Sequence, residues 1–316
     1  SPAARRPWGG DYHRAPEHAL TSRAGPVLLL DAMSLLFRSF YALPPMNTSD
    51  GRHTNALYGI SSLFIKIVRE HRPSGLAFAV DLPRPTFRHL QYAYYKAGRP
   101  TTPDPLAEQV ARFGAWMGAL GVPVHAVEGF EADDVIATLA DQLHDTDVLV
   151  VSGDTDLFQV VTERVSVWYV GRRQKDAMRM DLAAVRARYG VEPRSIPTVK
   201  ALVGDPSDNL PGLPGIGAKT ATRWIVEHGD AAGIVAAADR LTPARHRDTV
   251  ASHAEGLVTW ESLATVRRDV PLEGRLQAPL DAASFSAMDQ QFEALEFRSL
   301  RPRLAAVAES LGIECE

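Results

Sequence analysis

The chain has 316 residues, 45% of them hydrophobic and 23% charged, the balance of a water-soluble globular protein of one large or two modest domains. Its single cysteine, Cys315, excludes an intrachain disulfide and a cysteine-based zinc site, and a reducing cytoplasm is the expected compartment. No apolar run approaches the roughly 20 residues of a membrane span. The net charge of −4 comes from 34 basic and 38 acidic residues. Setting aside nine carboxylates named below leaves 29 acidic against 34 basic residues, so the total does not exclude a nucleic-acid partner.

Residues 1–25 carry several Arg and His residues and no hydrophobic segment, which reads as a flexible N-terminal arm and not a secretory signal. From Pro26 the chain alternates strand and helix signals. Apolar, β-branched runs at Pro26–Leu30, Gly75–Val80, Val122–Val127, Asp147–Val151 and Arg164–Val170 predict buried strands. Helical spacing falls between them, at Ala56–His71, Pro105–Leu120, Ala132–Leu143 and Leu182–Tyr189. This alternation predicts an α/β domain over 26–189, with a mostly parallel central sheet flanked by helices. From about residue 190 the chain reads as short helices broken by Gly and Pro. A smaller helical region is expected over 190–316, its last stretch, Phe292–Leu311, packing back on the body.

Each of the first four strands leads to acidic residues: Asp31, Asp81, the group Glu131, Asp133 and Asp134, and the pair Asp154 and Asp156. One such aspartate is ordinarily a turn residue or helix N-cap. Four in succession are different, because open α/β sheets bind ligands beyond the carboxyl ends of their strands. Asp205 and Asp208, in GDPSDN, can approach from the helical region. So many carboxylates in one cleft raise one another's pKa, and divalent cations resolve that conflict. Oxygen-only ligands select magnesium or manganese, two ions about 4 Å apart being able to clamp a phosphoryl group. Asp134 and Asp154 are the expected bridging or first ligands; Glu131 and Asp156 are either ligands or neighbours that orient them.

Two further segments point to nucleic acid. LPGIGAKTA, Leu213–Ala221, reads as a helix-hairpin-helix: Gly215 and Gly217 allow positive φ, and the next helix offers free N–H groups to a phosphate beside Lys219 and Thr220. Such binding carries no base information. Within 82–105, the stretch RPTFRHLQYAYYKAGR interleaves Arg84, Arg88, Lys96 and Arg99 with Tyr92, Tyr94 and Tyr95. That mixture suits a single strand, with bases on rings and phosphates on cations, although any one tyrosine can equally pack inwards. Arg38, two helical turns beyond Asp31, can also reach a phosphate.

Together these motifs resemble the bacterial 5′ nucleases, relatives of the flap endonucleases, found alone or as the N-terminal domain of DNA polymerase I. The resemblance runs from about Val27 to Leu311 and is carried by LLLDAMSLLFRSFYAL, FRHLQYAYYKAGR, GFEADDVIATLA, SGDTDLFQVV and GDPSDNLPGLPGIGAKTA. It implies a PIN-like α/β fold with an arch at about 82–105, and metal ligands at Asp31, Asp81, Glu131, Asp133, Asp134, Asp154, Asp156, Asp205 and Asp208. It also implies Lys96 as the arch lysine, Arg38 on the phosphate, and potassium held at Gly212, Leu213, Gly215 and Gly217. The expected activity is magnesium- or manganese-dependent hydrolysis of DNA at 5′ flaps, overhangs and nicks during replication and repair, by a monomer of the stand-alone type in the bacterial cytoplasm near the nucleoid. A PIN-like ribonuclease and a non-catalytic DNA-binding scaffold are the alternatives.

Overall fold

The computed structural model describes residues 25–171 and 177–314, so the N-terminal arm and Cys315 lie outside the described residues. Six strands form one sheet: β1 (Gly25–Asp31), β2 (Pro73–Ala79), β3 (Val124–His125), β4 (Val148–Ser152), β5 (Val165–Tyr169) and β6 (Met178–Met180). Their order is β3-β2-β1-β4-β5-β6. The first five run parallel and β6 pairs antiparallel with β5. The five predicted runs all became strands; β6 was missed because three residues are too short for a periodicity signal.

Helices cover both faces: α1 (Ala32–Ala42), α2 (Asn55–His71), α3 (Phe87–Gln91), α4 (Asp104–Ala119), α5 (Ala132–Gln142) and α6 (Leu182–Tyr189). The helical region contributes α7 (Ile196–Val203), α8 (Ala218–His228), α9 (Ala231–Ala236), α10 (Arg247–Ser252), α11 (Ala254–Ala264), α12 (Ala282–Ala294) and α13 (Arg301–Ser310).

Strands buried on both sides explain the unbroken apolar runs. Alternate β1 residues face opposite cores. Val27 and Leu29 join α5 and residues of α7, α8 and α11 on one side. Leu28 and Leu30 join α1, α2, α4, α12 and α13 on the other. The helical region therefore grips the sheet on both faces. The order reverses at β1, whose neighbours β2 and β4 send their crossovers in opposite directions, and that opens a crevice at the carboxyl ends of these strands.

Candidate active site

Four carboxylates reach this crevice from four chain segments. Asp31 closes β1 and caps α1, accepting the Ser34 N–H at 3.2 Å and the Ser152 hydroxyl at 2.5 Å. Asp81 follows β2 and accepts the Ala132 N–H at 2.8 Å, which ties it to the start of α5. Asp133 sits in the first turn of α5. Asp154 follows β4 and accepts the Asp156 N–H at 2.9 Å. All four line a cleft of about 910 Å³, together with Glu131, Lys96, Arg99 and Arg38. The cleft also has an apolar lining: Phe37 and Tyr41 from α1, and Val110, Phe113 and Met117 from α4.

The carboxylates disturb one another. Burial, reinforced by the charges of Asp81 and Asp154, lifts Asp31 to about 7 against the hydrogen bonds that favour its anion. Burial and then the charges of Asp154, Asp31 and Asp81 hold Asp133 well above the usual range. Asp81, although open to the cleft, is raised by the surrounding protein despite Lys96 and the Ala132 amide. The metal-free chain thus holds a knot of acids without enough compensating charge.

A second group lies beside it. Oxygens of Asp156, Asp205 and Asp208 come within 4.8 Å of one another. Here the chain supplies its own cation: Lys200 pairs with Asp156, and with Asp205 at 2.6 Å. Burial alone would raise Asp205, but the Lys200 ammonium and the Ser207 donors hold it near 2. Asp208 is raised by burial and by Asp205 and Asp154, despite Lys96 and Lys200. The 82–105 segment folds down onto this group. Lys96 N–H donates to the Asp208 carbonyl at 3.1 Å, Arg99 pairs with its carboxylate at 3.1 Å, and Asn209 donates to the Tyr94 carbonyl at 2.7 Å.

Several expected roles change. Asp134 does not line the cleft: it is fully buried and its oxygens accept two Arg88 N–H groups at 2.7 Å, the Glu131 N–H at 3.0 Å and the Arg267 N–H at 2.8 Å. Its lone pairs are filled, so it braces the start of α5 and does not bridge ions. Arg88 is likewise buried, giving its remaining donors to the Leu263 and Thr265 carbonyls at 2.7 and 3.0 Å, so it is no DNA contact. Tyr95 is buried too; its hydroxyl binds Glu131 at 3.0 Å and Asp208 at 3.2 Å, leaving no ring face for a base. Glu131 lines the cleft but anchors Lys96 at 2.9 Å. Burial lowers the lysine's affinity for its proton, and Asp208 and Glu131 more than restore it.

Of the other expected contacts, Arg84 is exposed and pairs with Glu128 at 2.7 Å, and Tyr92 is half-buried with its ring 5.6 Å from Tyr94. Arg38 donates to the Gly153 carbonyl at 2.7 Å, and its Nε is buried without a partner. A Cβ at Gly153 would lie 2.1 Å from that nitrogen, so only glycine lets the guanidinium lie there. Sequence reasoning missed Ser152 and Lys200, and nothing local marks either. The apolar lining does have a local signal, the helical spacing of Val110, Phe113 and Met117.

In the hairpin, Gly215 has φ +75°, as expected, but Gly217 does not: it is extended and N-caps α8. Gly212, at φ +70°, is the second left-handed position, and a Cβ there would come within 2.3 Å of the Gly204 nitrogen. The Gly217 carbonyl accepts the Thr220 and Ala221 N–H groups at 3.0 Å, and that of Leu213 accepts Ile216 at 3.2 Å. Lys219 and Thr220 stand in the first turn of α8, the lysine exposed.

Residues 26–190 match the family model of the 5′-3′ exonuclease N-terminal resolvase-like domain, and residues 191–290 that of its C-terminal SAM fold. The chain belongs to the 5′-3′ exonuclease family. It is 43% identical over 294 residues to DNA polymerase I of Mycobacterium tuberculosis, covering 89% of this chain and 32% of that protein. The DNA polymerase I of Bacillus caldotenax is 35% identical over 285 residues, at 88% and 32%. The family member described here therefore spans about a third of the length of these relatives. Among solved structures, the bacteriophage T5 5′-exonuclease with bound divalent metal ions (zinc) superposes with a TM-score of 0.61 at 19% identity, covering 90% of this chain and 99% of that one. The T5 flap endonuclease complexed with DNA and metal ions gives 0.62 at 20% identity, again at 90% and 99%. At these identities the likeness establishes the fold. Among the described residues, no helix is long and apolar enough to cross a membrane.

Proposed function

We propose that the chain hydrolyses DNA phosphodiesters at 5′ flaps, overhangs and nicks, using divalent cations held by Asp31, Asp81, Asp133 and Asp154, with a second position at Asp156, Asp205 and Asp208. One observation carries this reading: carboxylates from four strand ends converge on a cleft that also holds Lys96 and Arg38, and burial and mutual repulsion raise the pKa values of Asp31, Asp81 and Asp133 among them. The donor set fits magnesium or manganese, being oxygen-only and short of positive charge. Such ions, when bound, supply charge neutralisation and an activated water for phosphoryl transfer.

The chain's own residues do the rest. Lys96, held by Glu131, presents a fixed cation to the scissile phosphate, and Arg38, held by the Gly153 carbonyl, offers a second. The apolar side chains of Phe37, Tyr41 and Val110 receive the unpaired terminal base, offsetting a cost of about a few kcal/mol for unpairing it. Arg84, Tyr92 and Arg99 line the approach, and Lys219, Thr220 and the α8 amides hold a duplex phosphate. A potassium ion at the hairpin fits the Gly212, Leu213 and Gly215 carbonyls better than that of Gly217, which already accepts two N–H groups. All seven carboxylates come from one chain, so a monomer suffices, and action on DNA fits work beside the bacterial nucleoid. Asp154→Asn is expected to abolish cleavage of a labelled 5′-flap DNA in magnesium while leaving flap binding largely intact. Wild-type turnover by that variant overturns the reading, and matched RNA flaps test the ribonuclease alternative.

A further inference from the structure

The run GDPSDN supplies Asp205 and Asp208 to the second acidic group, but its last residue, Asn209, has no part in the site above. Asn209 sits in a closed loop. Asp205 and Leu210 exchange backbone hydrogen bonds at 2.8 and 2.9 Å, an antiparallel bridge that shuts the loop at its base. Inside it, the Asp205 carboxylate accepts the Ser207 N–H at 2.8 Å and the Lys200 ammonium at 2.6 Å. Asn209 has φ +58°, in the left-handed region, which asparagine tolerates better than most residues with a Cβ. The loop is thus a small, internally bonded platform.

Its outer side meets the segment that carries Lys96. Asn209 Nδ2 donates to the Tyr94 carbonyl at 2.7 Å, and the Lys96 N–H donates to the Asp208 carbonyl at 3.1 Å. The backbone of 94–96 is therefore held at two points, one on each side of Tyr95. The Tyr95 hydroxyl also meets Glu131 and Asp208, which fixes that side chain but not the peptides flanking it. Arg99 reaches the same loop, pairing with Asp208 at 3.1 Å, but its side chain is 54% exposed and water screens the pair. Lys96 itself has φ +54°, a conformation that a lysine keeps only when its surroundings impose it. From that turn its Nζ reaches Glu131 at 2.9 Å and lies 3.9 Å from Asp208. Released from the platform, the turn relaxes to an ordinary φ and carries the ammonium away from the cleft.

We propose that Asn209 is a positioning residue for Lys96: its side-chain amide holds the Tyr94 carbonyl, the left-handed turn at Lys96 persists, and the ammonium stays aimed at the scissile phosphate. This rests on the proposed function, in which Lys96 faces that phosphate, and deepens it by naming what holds the lysine there. Because Asn209 acts through Lys96, losing both costs no more than losing Lys96 alone.

The test uses the full chain and Asn209→Gly, which keeps the left-handed backbone and loses only the amide. Asn209 is exposed, so the variant is expected to melt with wild type. Its single-turnover cleavage of a labelled 5′-flap DNA in magnesium, at saturating protein, is expected to slow about tenfold, with the flap Kd in calcium unchanged. In a Lys96→Ala background, the same substitution is expected to change the rate by less than about twofold. Acetylation of lysines in the metal-free protein, mapped by mass spectrometry, is expected to reach Lys96 severalfold faster in Asn209→Gly than in wild type. Wild-type cleavage together with wild-type labelling of Lys96 overturns the proposal, since the asparagine would then serve only its own positive φ. So does a full tenfold loss that recurs in the Lys96→Ala background, which would place the effect on Asp208 instead. If the wild-type chain cleaves no flap, the nuclease reading falls, while the labelling still decides whether Asn209 holds Lys96.

Discussion

Replacing Asp31 by asparagine removes one of the mutually repelling charges while keeping the shape of the group. The folded pKa is about 7 against an ordinary value of 3.8, so the ionised form is disfavoured on folding by roughly three pKa units, or about 4 kcal/mol. The sign follows from the raised value: the proton is held more tightly in the folded chain, so stability falls as pH climbs from about 4 to about 7 and is level above that. The amide that Asp31→Asn introduces retains an acceptor for the Ser34 N–H but must rearrange the Ser152 contact, at about 1 kcal/mol. The net gain at pH 8 without metal is about 3 kcal/mol, which for a chain of this size corresponds to roughly 5 °C in Tm. Thermal unfolding in chelator is the assay. The gain is expected to shrink to about 1 kcal/mol or less near pH 5, where the wild-type group is already protonated when folded. Millimolar magnesium is expected to raise the Tm of wild type more than that of the variant. A variant that melts at or below wild type at pH 8 in chelator, or whose gain ignores pH, refutes the account of the acid knot.

Three other outcomes follow from the same contacts. Lys200→Met strips the cation from Asp156 and Asp205 and is expected to cost about 3–5 kcal/mol in chelator, with much of the loss restored by magnesium in the same melting experiment. Arg88→Met leaves buried Asp134 unpaired and is expected to lower stability by about 3–5 kcal/mol at neutral pH; an unchanged Tm with weakened DNA binding would return Arg88 to the substrate. Lys96→Ala is expected to lower the single-turnover cleavage rate about 100-fold or more with little change in flap Kd, whereas equal losses in both would make the lysine a general binding contact.

The strands and long helices were legible in the sequence because their signal is local. Short unbroken apolar runs rich in Val, bounded by Gly, Pro or Asp, suit strands covered on both faces, and Leu182–Tyr189 was bounded correctly from spacing, with Asp181 as its N-cap and Gly190 beyond its end. The aspartates at the strand ends were legible for the same reason: parallel strands must deliver their carboxyl ends to one edge. Rotamer and partner choice were not. Asp133 and Asp134 are adjacent and chemically identical, yet the helix turns one into the cleft and the other into the core, where Arg88 and the Arg267 amide, 46 and 133 residues away, close around it.

The sequence by itself therefore determined the sheet, the edge on which the acids gather and the oxygen-only chemistry they offer. Tertiary structure decided how those acids divide. One set is left mutually repelling in an open cleft, one is neutralised by Lys200, and one is spent bracing α5. That division depends on which cation or amide from a distant segment is brought within about 3 Å, and such distances arise only when the helical region packs on both faces of the sheet.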